Sequence, residues 1–210
     1  MARRILAFSL CLASLAFAAE KKPITLEVLA AREAPPKLAE PVWSPDGGRF
    51  IYTEAGRLWL YDLASRTRKE LASMGSFRNA TVKSPAPEQF GFENRRVREE
   101  PVQWAPDGRE LLVSTGDIFL FHLETGGWTQ LTATPERERD PKLSPDGRLV
   151  AFRRAHDLYV LDIASRKVTR LTTGGSATLR NAELDWVYPE ELELGTAYWW
   201  SPDSQSIAYL

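Results

Sequence analysis

Two adjacent carboxylates, Glu190 and Glu191, stand behind a tryptophan and a tyrosine in Leu184-Asp185-Trp186-Val187-Tyr188-Pro189-Glu190-Glu191-Leu192. The segment interrupts a series of plain β repeats, and a further repeat starts at Tyr198-Trp199-Trp200-Ser201-Pro202-Asp203. A repeat of purely structural use has no need of such an insert. A pocket that must hold a cation does. An ammonium group brings three donors and one positive charge. Two carboxylates in a partly desolvated pocket satisfy both better than one can. Taken without its context, a Glu-Glu pair is ordinary solvated surface charge. Its position in an aromatic insert between repeats is what singles it out.

Little else in the chain offers chemistry. The two histidines, His122 and His156, and the one cysteine, Cys11, make no metal-ligand cluster and leave no thiol nucleophile in the mature chain. No metal and no cofactor are expected. A Gly-x-Ser-x-Gly elbow is approached only by Gly174-Gly175-Ser176-Ala177-Thr178, which lacks the last glycine and falls at a repeat boundary. His122 lies in an expected strand and His156 in a turn beside Asp157, and both read as structural. No catalytic residue is assigned. The net charge of −1 comes without a basic stripe, which excludes nucleic acid as a partner. With 43% hydrophobic residues and seven tryptophans, the chain can bury a core.

Residues 1–18 have the order of a secretory signal peptide: Arg3 and Arg4, an apolar run, then Ala16-Phe17-Ala18 as a small-x-small cleavage site. The run is too short for a membrane span. The mature chain is therefore expected to start at Ala19 and to be secreted or periplasmic, with no membrane span. Leu10, before Cys11, does not suit a lipoprotein signal. Residues 19–41, with Pro23, Pro35, Pro36 and Pro41, read as an extended lead-in.

From residue 42 a repeat sets in. Val42-Trp43-Ser44-Pro45-Asp46-Gly47 recurs as Gln103-Trp104-Ala105-Pro106-Asp107-Gly108, as Lys142-Leu143-Ser144-Pro145-Asp146-Gly147 and as Trp199-Trp200-Ser201-Pro202-Asp203-Ser204. Proline presets φ at the second position of a tight turn, and glycine suits the fourth. An apolar strand follows each turn, at 49–53, 110–114, 149–153 and 206–210. A second strand comes next at 58–63, 118–123 and 158–163, and a third at 69–71, 129–132 and 169–172. With the strand that leads into the turn, each unit has four strands.

Four antiparallel strands at a period of about 40 residues mark a β-propeller blade. Leu58-Trp59-Leu60-Tyr61 and Ile118-Phe119-Leu120-Phe121 are apolar on both faces, as suits a blade packed between two neighbours; a sandwich strand would alternate. The fold class is therefore all-β, a partial β-propeller of about three and a half four-stranded blades over residues 42–210. The turns are 61, 39 and 57 residues apart. The long intervals carry inserts within 72–100, including the charged run 94–100, and within 174–197, which holds the glutamate pair. The chain stops at Leu210, in the middle of an expected strand, and reads as the N-terminal part of a longer protein, expected to fold poorly by itself.

These residues resemble the N-terminal propeller of the prolyl oligopeptidase superfamily, dipeptidyl peptidase IV branch. The repeats alone do not choose this branch, because TolB-type periplasmic propellers carry similar turns. The discriminating match is Asp185-Trp186-Val187-Tyr188-Pro189-Glu190-Glu191 followed by Trp199-Trp200-Ser201-Pro202. The resemblance implies that Glu190 and Glu191 bind the free α-ammonium of a peptide N-terminus from a short helical insert. It implies a secreted serine exopeptidase that releases N-terminal dipeptides, Xaa-Pro or Xaa-Ala, with the propeller gating entry. The serine-type chemistry would reside in a C-terminal α/β-hydrolase domain of the same chain, absent here. The oligomeric state stays open, a homodimer being compatible with the family. The alternative is a non-catalytic TolB-type propeller that binds a protein partner.

Trp186 and Tyr188 are expected to pack the insert against the blade, Asp185 to cap its first turn or bond locally, and Glu193 to face solvent. Pro189 is expected at the first helical position, which tolerates it. The family's assisting arginine has no motif match; Arg78, Arg95, Arg96, Arg137 and Arg139 are all conceivable, and none is assigned.

Overall fold

The computed structural model describes Thr25, Leu26 and residues 40–85 and 100–210; every element below lies in the compact unit Ala39–Leu210. The leader, most of the lead-in, and residues 94–99 of the charged run fall outside the described residues. Among those described, no helix is long and apolar enough to cross a membrane.

The strands form successive antiparallel meanders, as the repeat predicts. The first sheet runs β1 (Val42–Trp43), β2 (Arg49–Glu54), β3 (Arg57–Asp62), β4 (Thr67–Ser73). The second is β5 (Val102–Trp104), β6 (Glu110–Ser114), β7 (Ile118–His122), β8 (Trp128–Gln130). The third is β9 (Arg139–Leu143), β10 (Leu149–Arg154), β11 (Asp157–Asp162), β12 (Val168–Arg170). The last is the pair β13 (Tyr198–Trp200) and β14 (Ile207–Tyr209). These are three blades and half of a fourth.

Alternation along each strand sends successive side chains to opposite faces, and the cores follow that rule. Leu111, Val113, Phe119 and Phe121 of the second blade join Ile51 and Leu58 of the first. Leu112, Ile118 and Leu120, one residue out of phase, join Val150 and Phe152 of the third. Ala151, between those two, meets Tyr198 of the fourth. The second blade is therefore buried on both faces, and Ile118 to Phe121 are all buried. Of the equivalent strand in the first blade, β3, only Leu58 is buried.

The turn motif closes as expected. Gly47, Gly108 and Gly147 each donate to the carbonyl three residues back, at 2.8–2.9 Å, with φ of 67–73°. Ser204 takes the same left-handed conformation without being glycine, at φ 63°. Ser44 and Ser144 bond the aspartate two residues on, which with the Gly48 and Arg148 N–H groups holds Asp46 and Asp146 below the usual carboxylate range.

In the second and fourth repeats a tryptophan two residues before the proline ties the blade to the one before it. The Trp104 indole donates to the Val42 carbonyl at 2.9 Å, and the Trp200 indole to the Lys142 carbonyl at 3.1 Å. Val42 and Lys142 hold equivalent positions in the preceding blades. Trp104→Phe should therefore cost about 2 kcal/mol, one lost hydrogen bond plus the unfilled volume. Urea unfolding measures it as a lower midpoint at unchanged slope.

Two differences from the sequence reading concern the first insert and the bounds of the third strands. Residues 74–80 form a helix, α1 (Met74–Ala80), capped by Ser73, whose side chain accepts from the Gly75 N–H. Phe77 is fully buried and meets Phe119, Phe121 and Trp128, with ring centroids 5.4–6.4 Å apart. One aromatic anchor on a seven-residue segment gives too little periodicity to read as a helix. The third strands are also shifted: β4 is longer than the expected 69–71 because a bulge opposite Leu58 and Trp59 lets pairing continue, and β8 and β12 start and end earlier.

Candidate functional site

The glutamate insert leaves the third blade after β12 and is tied down at both ends. At its entry lies Asp157, 1% exposed. Its carboxylate accepts from Thr172 Oγ1 at 2.7 Å, Asn181 Nδ2 at 2.9 Å, the Gly175 N–H at 3.1 Å and the Arg170 guanidinium. Burial pushes this carboxyl up, but the bonds from Thr172, Arg170, Asn181 and Gly175 outweigh it and hold the pKa below the usual range. Gly175 is required here: a Cβ would stand 2.5 Å from the His156 carbonyl. Glu183 follows, with His156 Nδ1 at 2.8 Å, Arg153 at 3.4 Å and Arg180 at 3.7 Å.

The exit is tied to β9. Lys142 Nζ donates to Thr196 and to the Tyr198 carbonyl at 2.7 Å and sits 3.4 Å from Asp140. Burial lowers the Lys142 pKa, against the opposing charge of Asp140. The Tyr198 ring is fully buried, and its hydroxyl donates to the Asp140 carbonyl, with the Ala151 carbonyl 3.1 Å away.

Between these anchors the insert forms one short helix, α2 (Val187–Glu191). Asp185 bonds locally as expected, accepting from the Val187 N–H at 2.9 Å. Pro189 corrects the expectation: it occupies the third helical position, not the first, and is buried. The position still tolerates it, because the first-turn N–H groups have no intrahelical acceptor. Trp186 is a second correction. It is 61% exposed and does not pack on the blade, whereas Tyr188 is half-buried. Glu193 faces solvent in a left-handed conformation, φ 55°, as the chain leaves the helix.

The two glutamates end up in unlike surroundings. Consecutive helical residues lie about 100° apart around the axis. Glu191 is exposed. Glu190 is half-buried, and its Oε1 is shielded from solvent with no hydrogen-bond partner among the described residues. A shielded carboxylate oxygen without a donor is destabilising, and a cationic donor from outside the chain would remedy it. Neither glutamate makes an ion pair among the described residues.

Among the described residues, no arginine forms an ion pair with either glutamate. Arg78 and Arg137 line a cavity where the first two blades meet, and Arg139 lines a smaller one beside it. Arg95 and Arg96 lie outside the described residues. His122 bonds Glu110 at 2.7 Å and His156 bonds Glu183 at 2.8 Å. The described residues hold no metal-ligating cluster. Sequence reasoning missed the anchors Asp157, Glu183, Lys142 and Thr196. Asp157 alone carried a signal, as the partner of Asp117 at the same place in the 40-residue repeat.

Residues 105–210 match the family model described as dipeptidyl peptidase IV (DPP IV) N-terminal region. The chain is 32% identical over 146 residues to a probable dipeptidyl-aminopeptidase B of Uncinocarpus reesii, covering 59% of this chain and 15% of the relative. It is 45% identical over 69 residues to a probable dipeptidyl peptidase 4 of Aspergillus clavatus, 32% of this chain and 9% of the relative. It thus spans about a seventh or less of these relatives' length. Among solved structures it is similar to dipeptidyl peptidase 4 of Porphyromonas gingivalis, with a TM-score of 0.63, 19% identity, and 88% of this chain and 27% of the other covered. TolB of Acinetobacter baumannii follows at 0.51 and 19%, covering 82% and 37%. Both likenesses are of fold alone, and the sequence match selects between them.

Proposed function

The chain belongs to the dipeptidyl peptidase IV N-terminal region family, and on that premise we propose that it is the substrate-gating propeller of a secreted serine exopeptidase releasing N-terminal dipeptides. Glu190 and Glu191 hold the α-ammonium of the peptide. The observation that carries this reading is the shielded Oε1 of Glu190, without a partner among the described residues, on a short helix whose two flanks are fastened to the third blade.

A fixed anchor measures length, since only a peptide whose terminus lies two residues from the cut reaches it. Glu190 supplies the desolvated contact and Glu191 a solvated one. Rigid placement matters because a loosely held carboxylate loses orientational freedom on binding. The hydrolytic step belongs to an α/β-hydrolase domain outside these 210 residues, and the propeller's part is to bind and to position.

The test uses the full-length protein on paired dipeptidyl substrates, one with a free and one with an acetylated amino terminus. The free substrate should be strongly preferred, and the preference should fade as pH rises through the substrate's amine pKa, near 8, because the cation is lost. Equal kcat/KM on both substrates would overturn the ammonium anchor.

A further inference from the structure

The first two blades meet at a cavity of about 800 Å³ whose charge the glutamate pair does not explain. We propose that it is an oxyanion-binding site, for a ligand presenting a carboxylate or a phosphate. The volume lies in the range of small-ligand pockets, about 300–1,000 Å³.

Three segments bring a cation to its wall: Arg78 from the last turn of α1, Lys83 from the stretch beyond it, and Arg137 from the link between β8 and β9. Among the described residues, no acidic side chain lines it. Arg78 and Lys83 make no ion pair among the described residues, whereas Arg57, Arg68, Arg154 and Arg170 each sit on a carboxylate. Like charges gathered in a concave site focus a positive potential, which attracts an anion.

The wall itself is built. Thr81 donates to the Phe77 carbonyl at 3.0 Å, so the 2.6 Å contact between the Thr81 and Thr115 hydroxyls is donated by Thr115. That bond joins the end of α1 to the second blade. Gly116 follows at φ 116°, where a Cβ would come within 3.2 Å of Thr81 Cγ2. The Arg78 guanidinium offers a planar fork that matches carboxylate or phosphate oxygens, and Lys83 adds a point charge. Arg78 also complements the negative end of α1.

The proposal is independent of the glutamate reading. Calorimetric titration of the full-length protein with inorganic phosphate, and separately with N-acetyl-triglutamate, tests it. The acetylated peptide has no ammonium, so Glu190→Gln should leave its binding unchanged. Binding of either probe that weakens at high salt, falls about tenfold in Arg78→Gln and vanishes in Arg78→Gln/Lys83→Gln supports the site. Whichever probe binds identifies the source of the oxyanion. The charge-conserving pair Arg78→Lys/Lys83→Arg should retain most of the affinity, which separates loss of charge from loss of fold. Failure of both probes to bind, or equal affinity in the wild type and the neutral double variant, overturns it.

Discussion

Glu190→Gln in the full-length protein should lower kcat/KM for free dipeptidyl substrates by about 30- to 1,000-fold, the equivalent of roughly 2–4 kcal/mol for one charge-assisted contact in a partly buried site. Glutamine keeps the size of the side chain, so the fold should persist. Glu191→Gln should lower it by less, because Glu191 is exposed and solvent screens its charge. Glu193→Gln is the control: the same insert, fully solvent-facing, and no expected effect. Acetylated substrates should be insensitive to all three changes. Equal losses at the three positions, or equal losses on both substrate types, would falsify the anchor and leave the pair as surface charge.

Asp157→Ala should destabilise the protein by about 3–5 kcal/mol, since it strands Thr172, Asn181, the Gly175 N–H and the Arg170 guanidinium around a buried site. Asp157→Asn should cost less, because the amide keeps one acceptor. The pH dependence follows from the depressed pKa. The folded state holds the Asp157 proton more weakly than the unfolded state does. Its contribution is therefore complete above the unfolded value, near 3.9, and is lost as pH falls through the lower folded value. Glu138 acts in the opposite direction. Burial raises its pKa despite bonds from Thr134, Thr132 and Arg154, so its contribution declines as pH rises from the unfolded value, near 4.3, through the folded one. Thermal melts of the wild type and of Asp157→Ala, from pH 7 downward, separate the two. The acid-labile part should be smaller in the variant, and an unchanged profile would remove Asp157 from this role.

The Asp157 result bears on the site as well as on stability. Asn181 and Gly175 begin the insert that carries Glu190. A variant that folds without Asp157 should therefore also bind the peptide amine more weakly.

The repeat was legible from local chemistry alone. Proline, aspartate and glycine at fixed offsets dictate the turn, and two-sided apolar strands dictate burial between neighbours. Both are properties of a few consecutive residues, so the propeller blades and the insert between them follow from the sequence. The glutamate pair was also visible there, as carboxylates in an aromatic insert. What the sequence could not rank was the two members of the pair. Glu190 and Glu191 are the same residue type, one position apart, and only the direction of a five-residue helix shields an oxygen of the first and exposes the second. Tertiary structure alone likewise turned Trp186 to solvent and placed the Asp157 carboxylate against groups 13–24 residues away. It also brought Arg78, Lys83 and Arg137 to one cavity. The reason is common to all of these. Chain direction through the insert, and contacts between blades, depend on where distant segments come to rest, and no local pattern of residue types encodes that.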